Sequence, residues 1–195
     1  MNHTAGVAQS RKFRAVREET IEKRVAYIPP GAGTTSLWVM GVLATYKVPS
    51  QWTGGAYALF EVATQPGSGP PPHIHHREDE SFYVLEGEYE FLVDKRTVMA
   101  QAGSLIYVPK GCLHAHHGVG KGVGRMLVTQ TPGGLYERFF EEVGRPVEGE
   151  AGPGFFEERP DAQSIAATAA KYGIEIRSPI GGESEPDDSF TAAAP

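Results

Sequence analysis

Cysteine is almost absent: Cys112 is the only one in 195 residues. No intramolecular disulfide can form, and that usage fits a reducing compartment. Positive charge is also short, with 18 Lys and Arg against 24 Asp and Glu and a formal net charge of −6. Without a basic stripe, a nucleic-acid partner has no electrostatic support, and acidity of this size chiefly favours solubility. Long apolar runs are missing as well. The longest apolar-rich stretch, residues 37–46, is too short to cross a bilayer and is interrupted by Gly41. Residues 1–17 lack the apolar core of a secretory signal. These absences predict a soluble, cytoplasmic protein without a membrane partner.

Turn formers, in contrast, are plentiful, with 24 Gly and 15 Pro. Short stretches rich in β-branched and aromatic residues recur at 37–40, 42–48 and 56–64. They return at 81–87, 89–94, 96–100, 104–109, 113–117 and 125–131. Gly87, Asp94-Lys95, Ala102-Gly103 and Lys110-Gly111 mark the turns between them. Strands this short at such even spacing predict an all-β sandwich or barrel. The segment "QPGSGPPP" (65–72) has four prolines, hence four missing amide donors, and reads as a rigid loop rather than a central strand.

Past "TPGG" (131–134) the period changes. Leu135, Phe139 and Val143 recur every four residues, predicting a helix that ends at Gly144. Asp161 is placed to cap a second helix over 162–172, closed by Gly173. Residues 174–176, "IEI", read as an edge strand. The expected organisation is a flexible N-terminal arm over 1–24, one domain over 25–177 and a disordered tail over 178–195. Within the domain, the barrel core spans about 55–131 and a helical cap about 134–172. No internal repeat is visible.

The stretch "HIHHREDE" (73–80) carries three histidines and three acids in eight residues. In a strand His73 and His75 share a face, close enough to hold one ion at about 2.0–2.2 Å, while His76 points away. Glu80 shares that face only if "HRED" (76–79) turns or bulges. A third imidazole, His114, follows a strand–turn–strand pattern punctuated by Gly103, Pro109 and Gly111. Three imidazoles and a carboxylate suit Ni, Co, Mn, Fe, Cu or Zn. His116 shares the face of His114 and either packs as a satisfied barrel histidine or lines the cavity; His117 points out. Tyr57, Phe60, Phe82, Phe91, Met99 and Met126 read as barrel packing. "GVGKGVG" (118–124) lacks the Gly-Lys-Ser/Thr ending of a phosphate loop and reads as a hairpin.

Nine of these positions carry a resemblance. Gly67, His73, His75, Glu80 and Gly87 are spaced as in one motif of the cupin superfamily. Gly103, Pro109, Gly111 and His114 are spaced as in the other, with Gly118 where Asn is common. That spacing selects Glu80 over Glu78 and Asp79. The resemblance implies a double-stranded β-helix, the jelly-roll barrel, with an N-terminal strand arm and one or two short C-terminal helices. It also implies one divalent transition-metal ion held by His73, His75, Glu80 and His114.

Over roughly 25–177, and especially "TPGGLYERFFEEVGRP" (131–146), the chain is similar to bacterial single-cupin quercetin 2,3-dioxygenases. That likeness implies an enzyme using O₂ to cleave the ring of a flavonol or similar enolic or phenolic small molecule. Glu80 would act as base or hydrogen-bond acceptor. The alternatives are a metal-dependent isomerase or cyclase, or a non-catalytic cupin that binds a small molecule. The resemblance further implies a homodimer, with strands 37–48 as candidates either for exchange or for an arm wrapped over its own barrel.

Overall fold

Strands β1 (Ser36–Val39) and β2 (Val42–Val48) open the barrel in a computed structural model that describes residues 25–147 and 161–177. There follow β3 (Ala58–Thr64), β4 (His73–His75), β5 (Asp79–Glu86), β6 (Glu88–Val93) and β7 (Arg96–Gln101). Strands β8 (Leu105–Val108), β9 (Leu113–Gly118) and β10 (Gly124–Thr131) complete the run. Helix α1 (Leu135–Val143), β11 (Arg145–Pro146), helix α2 (Ala162–Lys171) and β12 (Ile174–Ile176) close the described chain. The expected arm 1–24 and tail 178–195 lie outside the described residues.

Two antiparallel sheets result. One runs β11-β1-β2-β3-β10-β5-β8 and the other β12-β4-β9-β6-β7. From β3 to β10 the chain alternates between them, apart from the β6–β7 hairpin. That winding, with short strands and Gly-rich corners, is an all-β jelly roll. The two-residue strand β11 escaped the sequence pattern because it is too short to show a period. Strands β1 and β2, the candidates for exchange, are paired in the chain's own sheet with β11 and β3.

Strand parity builds the core. On β10, Met126, Val128 and Gln130 are buried and alternate with more exposed residues; on β5, Glu80, Phe82 and Val84 are buried. Phe60, Phe82, Phe91 and Met126 pack as expected, each burial worth about 1.5–3 kcal/mol as an upper figure. Two of the expected packing residues do not. Met99 is 59% exposed, on the outward face of edge strand β7, and Tyr57 is 39% exposed in the turn before β3.

Both predicted helices form. Gly144 caps α1, and Asp161 accepts from the Ser164 backbone N–H at 2.9 Å to cap α2. Phe139 and Val143 pack as the repeat predicts, but Leu135 does not join the core; Tyr136 and the buried Phe140 complete the packed stripe of α1 instead. Its rings meet Phe60 edge-on, and the Glu137 carbonyl accepts from the Tyr46 hydroxyl at 3.2 Å. The helix is thereby fastened to β2 and β3 beside the site.

The loop 65–69 lies directly on β9. Gly67 N–H donates to the Gly118 carbonyl at 2.7 Å, and Gly118 N–H donates to the Ser68 carbonyl at 3.1 Å. A Cβ on Gly118 would sit 3.0 Å from the Gln65 carbonyl oxygen, and one on Gly69 would sit 1.9 Å from that of His116. That close approach accounts for glycine where Asn is common. No helix among the described residues is long and apolar enough to cross a membrane.

Candidate metal centre

The structure brings His73, His75, Glu80 and His114 together, all buried. One potential ligand atom from each lies within 4.8 Å of the others. The two sheets share the work. His73 pairs directly with His114 across β4 and β9, and their rings are 4.2 Å apart. His75 lies two residues along β4 on the same face. Glu80 reaches in from β5 of the opposite sheet after a bend at His76 and Arg77, the turn that the motif required.

Each imidazole is oriented through Nδ1. His73 Nδ1 donates to the Pro71 carbonyl at 2.8 Å and His114 Nδ1 to the Cys112 carbonyl at 3.2 Å. His75 Nδ1 donates to Glu78 Oε2 at 3.2 Å. These partners only accept, so the proton sits on Nδ1 and the Nε2 lone pair is free to face the centre. Glu80 Oε2 lies 2.5 Å from His114 Nε2 and 3.5 Å from His75 Nε2. None of these three buried atoms has a hydrogen-bond partner among the described residues. Leaving such groups unsatisfied costs about 1–3 kcal/mol each. A cation among them would remove that cost, so the donor set fits a metal ion. Three nitrogens and one carboxylate suit a first-row transition ion.

Electrostatics follow from the same crowding. Burial alone would raise the Glu80 pKa, but the His75 and His114 imidazoles outweigh it and hold the carboxyl far below its usual range. Burial, then His114 and His75, push His73 well below an ordinary histidine. For His114 burial acts downward, yet the adjoining Glu80 leaves its pKa raised.

Two supporting residues were not singled out in the sequence. Glu78, passed over there in favour of Glu80, is 1% exposed. One oxygen holds His75 and the other accepts from the Tyr136 backbone N–H at 3.1 Å. Gln130 is fully buried opposite Glu80 across β10 and β5, and its Nε2 donates to Glu80 Oε1. Its parity with Met126 and Val128 was the available signal. Asp79, the other rival, accepts from the Lys110 backbone N–H at 2.8 Å outside the cluster.

The remaining histidines separate as parity predicts. His76 points outward to Glu175 at 2.9 Å, and His117 is exposed near Glu90. His116 is buried among Phe82, Tyr89 and Phe91, and its Nδ1 has no partner among the described residues. Burial, then His114, lower its pKa to about 3, so its ring is neutral. His116, Phe82 and Tyr136 border a cavity of about 20 Å³ otherwise walled by apolar residues. The Tyr136 ring is 5.1 Å from His75, which sets that cavity beside the cluster.

Residues 60–130 match the family model described as "Cupin domain". The quercetin 2,3-dioxygenase of Bacillus subtilis (strain 168) is 28% identical over 101 residues, covering 52% of this chain and 29% of that one. The chain thus spans under a third of that relative's length. An uncharacterized protein of Streptomyces coelicolor is 32% identical over 78 residues, covering 40% of this chain and 68% of its own. Among solved structures, the cupin domain of Schizosaccharomyces pombe Cnp3 aligns with a TM-score of 0.45. Its identity is 19%, over 57% of this chain and 78% of that one. Motif, sheet topology and relatives agree, and the chain belongs to the cupin family.

Proposed function

We propose that this cupin is a metal-dependent dioxygenase that uses O₂ to open the ring of a flavonol or a similar enolic or phenolic small molecule. The convergence of His73, His75, Glu80 and His114 carries the reading, because buried, unpartnered Nε2 and carboxylate atoms are arranged to hold one cation. The quercetin-dioxygenase relative supports the choice of reaction. When bound, the ion supplies Lewis acidity toward an enolic oxygen and its reaction with O₂.

The chain's own residues define the rest. Gln130 fixes Glu80 Oε1, so Oε2 is the oxygen that faces the centre. The Glu80 carboxylate, converging with the three imidazoles, accepts the hydrogen bond of an incoming enolic hydroxyl and serves as the base candidate. Val128, Phe82 and Phe140 keep bulk water from the adjoining cavity, which strengthens each polar contact made there. His116, neutral and facing the same cavity, offers a ring nitrogen to a substrate oxygen.

Oxygen uptake tests the reaction. The full chain, loaded in parallel with Ni, Co, Mn and Fe, is offered a flavonol. Uptake with loss of the flavonol's visible absorbance is expected with at least one ion. Substrate turnover without uptake would assign an isomerase or cyclase instead. Binding without turnover would assign a non-catalytic cupin.

A further inference from the structure

Met40 stands between two cavities. On one side is the cavity of about 20 Å³ beside the ligand cluster, room for roughly one water molecule. On the other is a groove of about 330 Å³ between the 67–71 loop and α2, within the range of about 300–1,000 Å³ usual for small-molecule sites. Met40 and Pro70 line both. The inner space is too small for any aromatic ring, whereas the groove is not. Its floor is the loop that leads into His73, and Ala162, Ile165 and Ile176 form its apolar wall.

The backbone at Met40 is unusual in the same direction. It occupies the first loop position of the β1–β2 hairpin, where Met40 and Gly41 have φ of 47° and 86°. Two positive φ values define a type I′ turn, in which Asn, Asp or Gly is strongly preferred at that first position. In the β6–β7 hairpin the corresponding residue is Asp94, with φ of 52°, whose carboxylate accepts from the Leu113 backbone N–H at 3.1 Å. Met40 has no such polar reward. A long, flexible apolar chain is held at a strained position where it separates groove from inner cavity.

We propose that the groove seats the apolar, planar body of the substrate. Met40 is the specificity-determining residue that controls how far the reactive end passes toward the cluster. The inference rests on the metal-site reading of that cluster, but not on the reaction assigned to it.

The test uses nickel-loaded full chain under argon and the fluorescence of 3-hydroxyflavone as probe. Met40→Asn keeps a residue suited to the turn, so the hairpin forms, and it shortens the partition. Ala162→Trp fills the groove from an exposed position on α2. The expected results are an association rate at least fivefold faster in Met40→Asn and a dissociation constant at least tenfold weaker in Ala162→Trp. Circular dichroism should be unchanged in both. An unaltered association rate in Met40→Asn would overturn the partition role. Wild-type affinity in Ala162→Trp, or no binding to wild type, would overturn the groove assignment. Because binding is read without turnover, these shifts with no oxygen uptake would leave the groove standing and sink the dioxygenase reading. Uptake at wild-type kcat/KM in both variants would do the reverse.

Discussion

Glu78 Oε2 lies 3.2 Å from His75 Nδ1, with both side chains buried, while its other oxygen accepts from the first turn of α1. One carboxylate thus ties a candidate metal ligand to the helix beside the cavity. In Glu78→Gln the amide presents one acceptor to two donors, so either His75 or Tyr136 loses its partner. Metal affinity should fall about 10–100-fold. A competition titration against a chelator measures it, and unchanged affinity would show that His75 does not depend on Glu78.

Gln130 stands in the same relation to Glu80. Gln130→Leu leaves Glu80 Oε1 buried without a donor, which should destabilise the metal-free protein by about 1–3 kcal/mol. Denaturant unfolding provides the comparison. Wild-type stability would mean that Oε1 finds another partner.

Glu80 and His114 should divide binding from turnover. Glu80→Gln retains three imidazoles but lacks the charged acceptor, so turnover should fall about 100-fold or more with metal still detectable. Normal turnover in that variant would remove Glu80 from the base role.

A pH effect is expected away from the centre. Burial works to raise the pKa of Glu61, but Lys47 Nζ at 2.7 Å and Arg125 Nη1 at 2.8 Å outweigh it and hold the carboxyl below its ordinary value. A depressed folded-state pKa contributes stability above the unfolded value, and that stability disappears as pH falls through the folded one. Glu61→Gln should therefore cost about 0.2–1 kcal/mol at pH 7 after solvent screening, with the difference from wild type closing below about pH 4. Unfolding curves across that range decide it; a gap that stays constant would exclude linkage.

Gly69 offers a steric test of the loop. Gly69→Ala drives a Cβ to 1.9 Å from the His116 carbonyl, against backbone that cannot swing aside, and should cost about 1–3 kcal/mol or more. Gly122→Ala meets nothing within 4 Å among the described residues and should stay within about 0.5 kcal/mol of wild type. Equal Tm values for the two variants would contradict the close packing of loop on strand.

Much of this fold was legible because half-buried strands have a period of two and each turn carried its own chemistry. The four motif glycines, Gly67, Gly87, Gly103 and Gly111, all have positive φ, so the motif fixes the barrel's corners as well as its ligands. His76 and His117 could be set aside by parity alone. Glu78 could not be read, because an acid in a polar turn looks solvated until α1 returns, 58 residues later, to cover it. Met99 misled for the opposite reason: an apolar residue on an edge strand has no neighbouring sheet to bury it. On α1, Phe139 and Val143 followed the four-residue repeat, but the stripe widens to Tyr136 and Phe140, whose rings lie 4.1 Å apart, at the expense of Leu135.

The central claim is that His73, His75, Glu80 and His114 hold one ion, and metal content per chain tests it most directly. Elemental analysis of the purified protein, after loading and desalting, should give close to one equivalent in wild type and in His76→Ala. It should give little in His114→Ala at unchanged circular dichroism. Equal occupancy in wild type and His114→Ala would contradict the account, as would no binding by the wild-type chain.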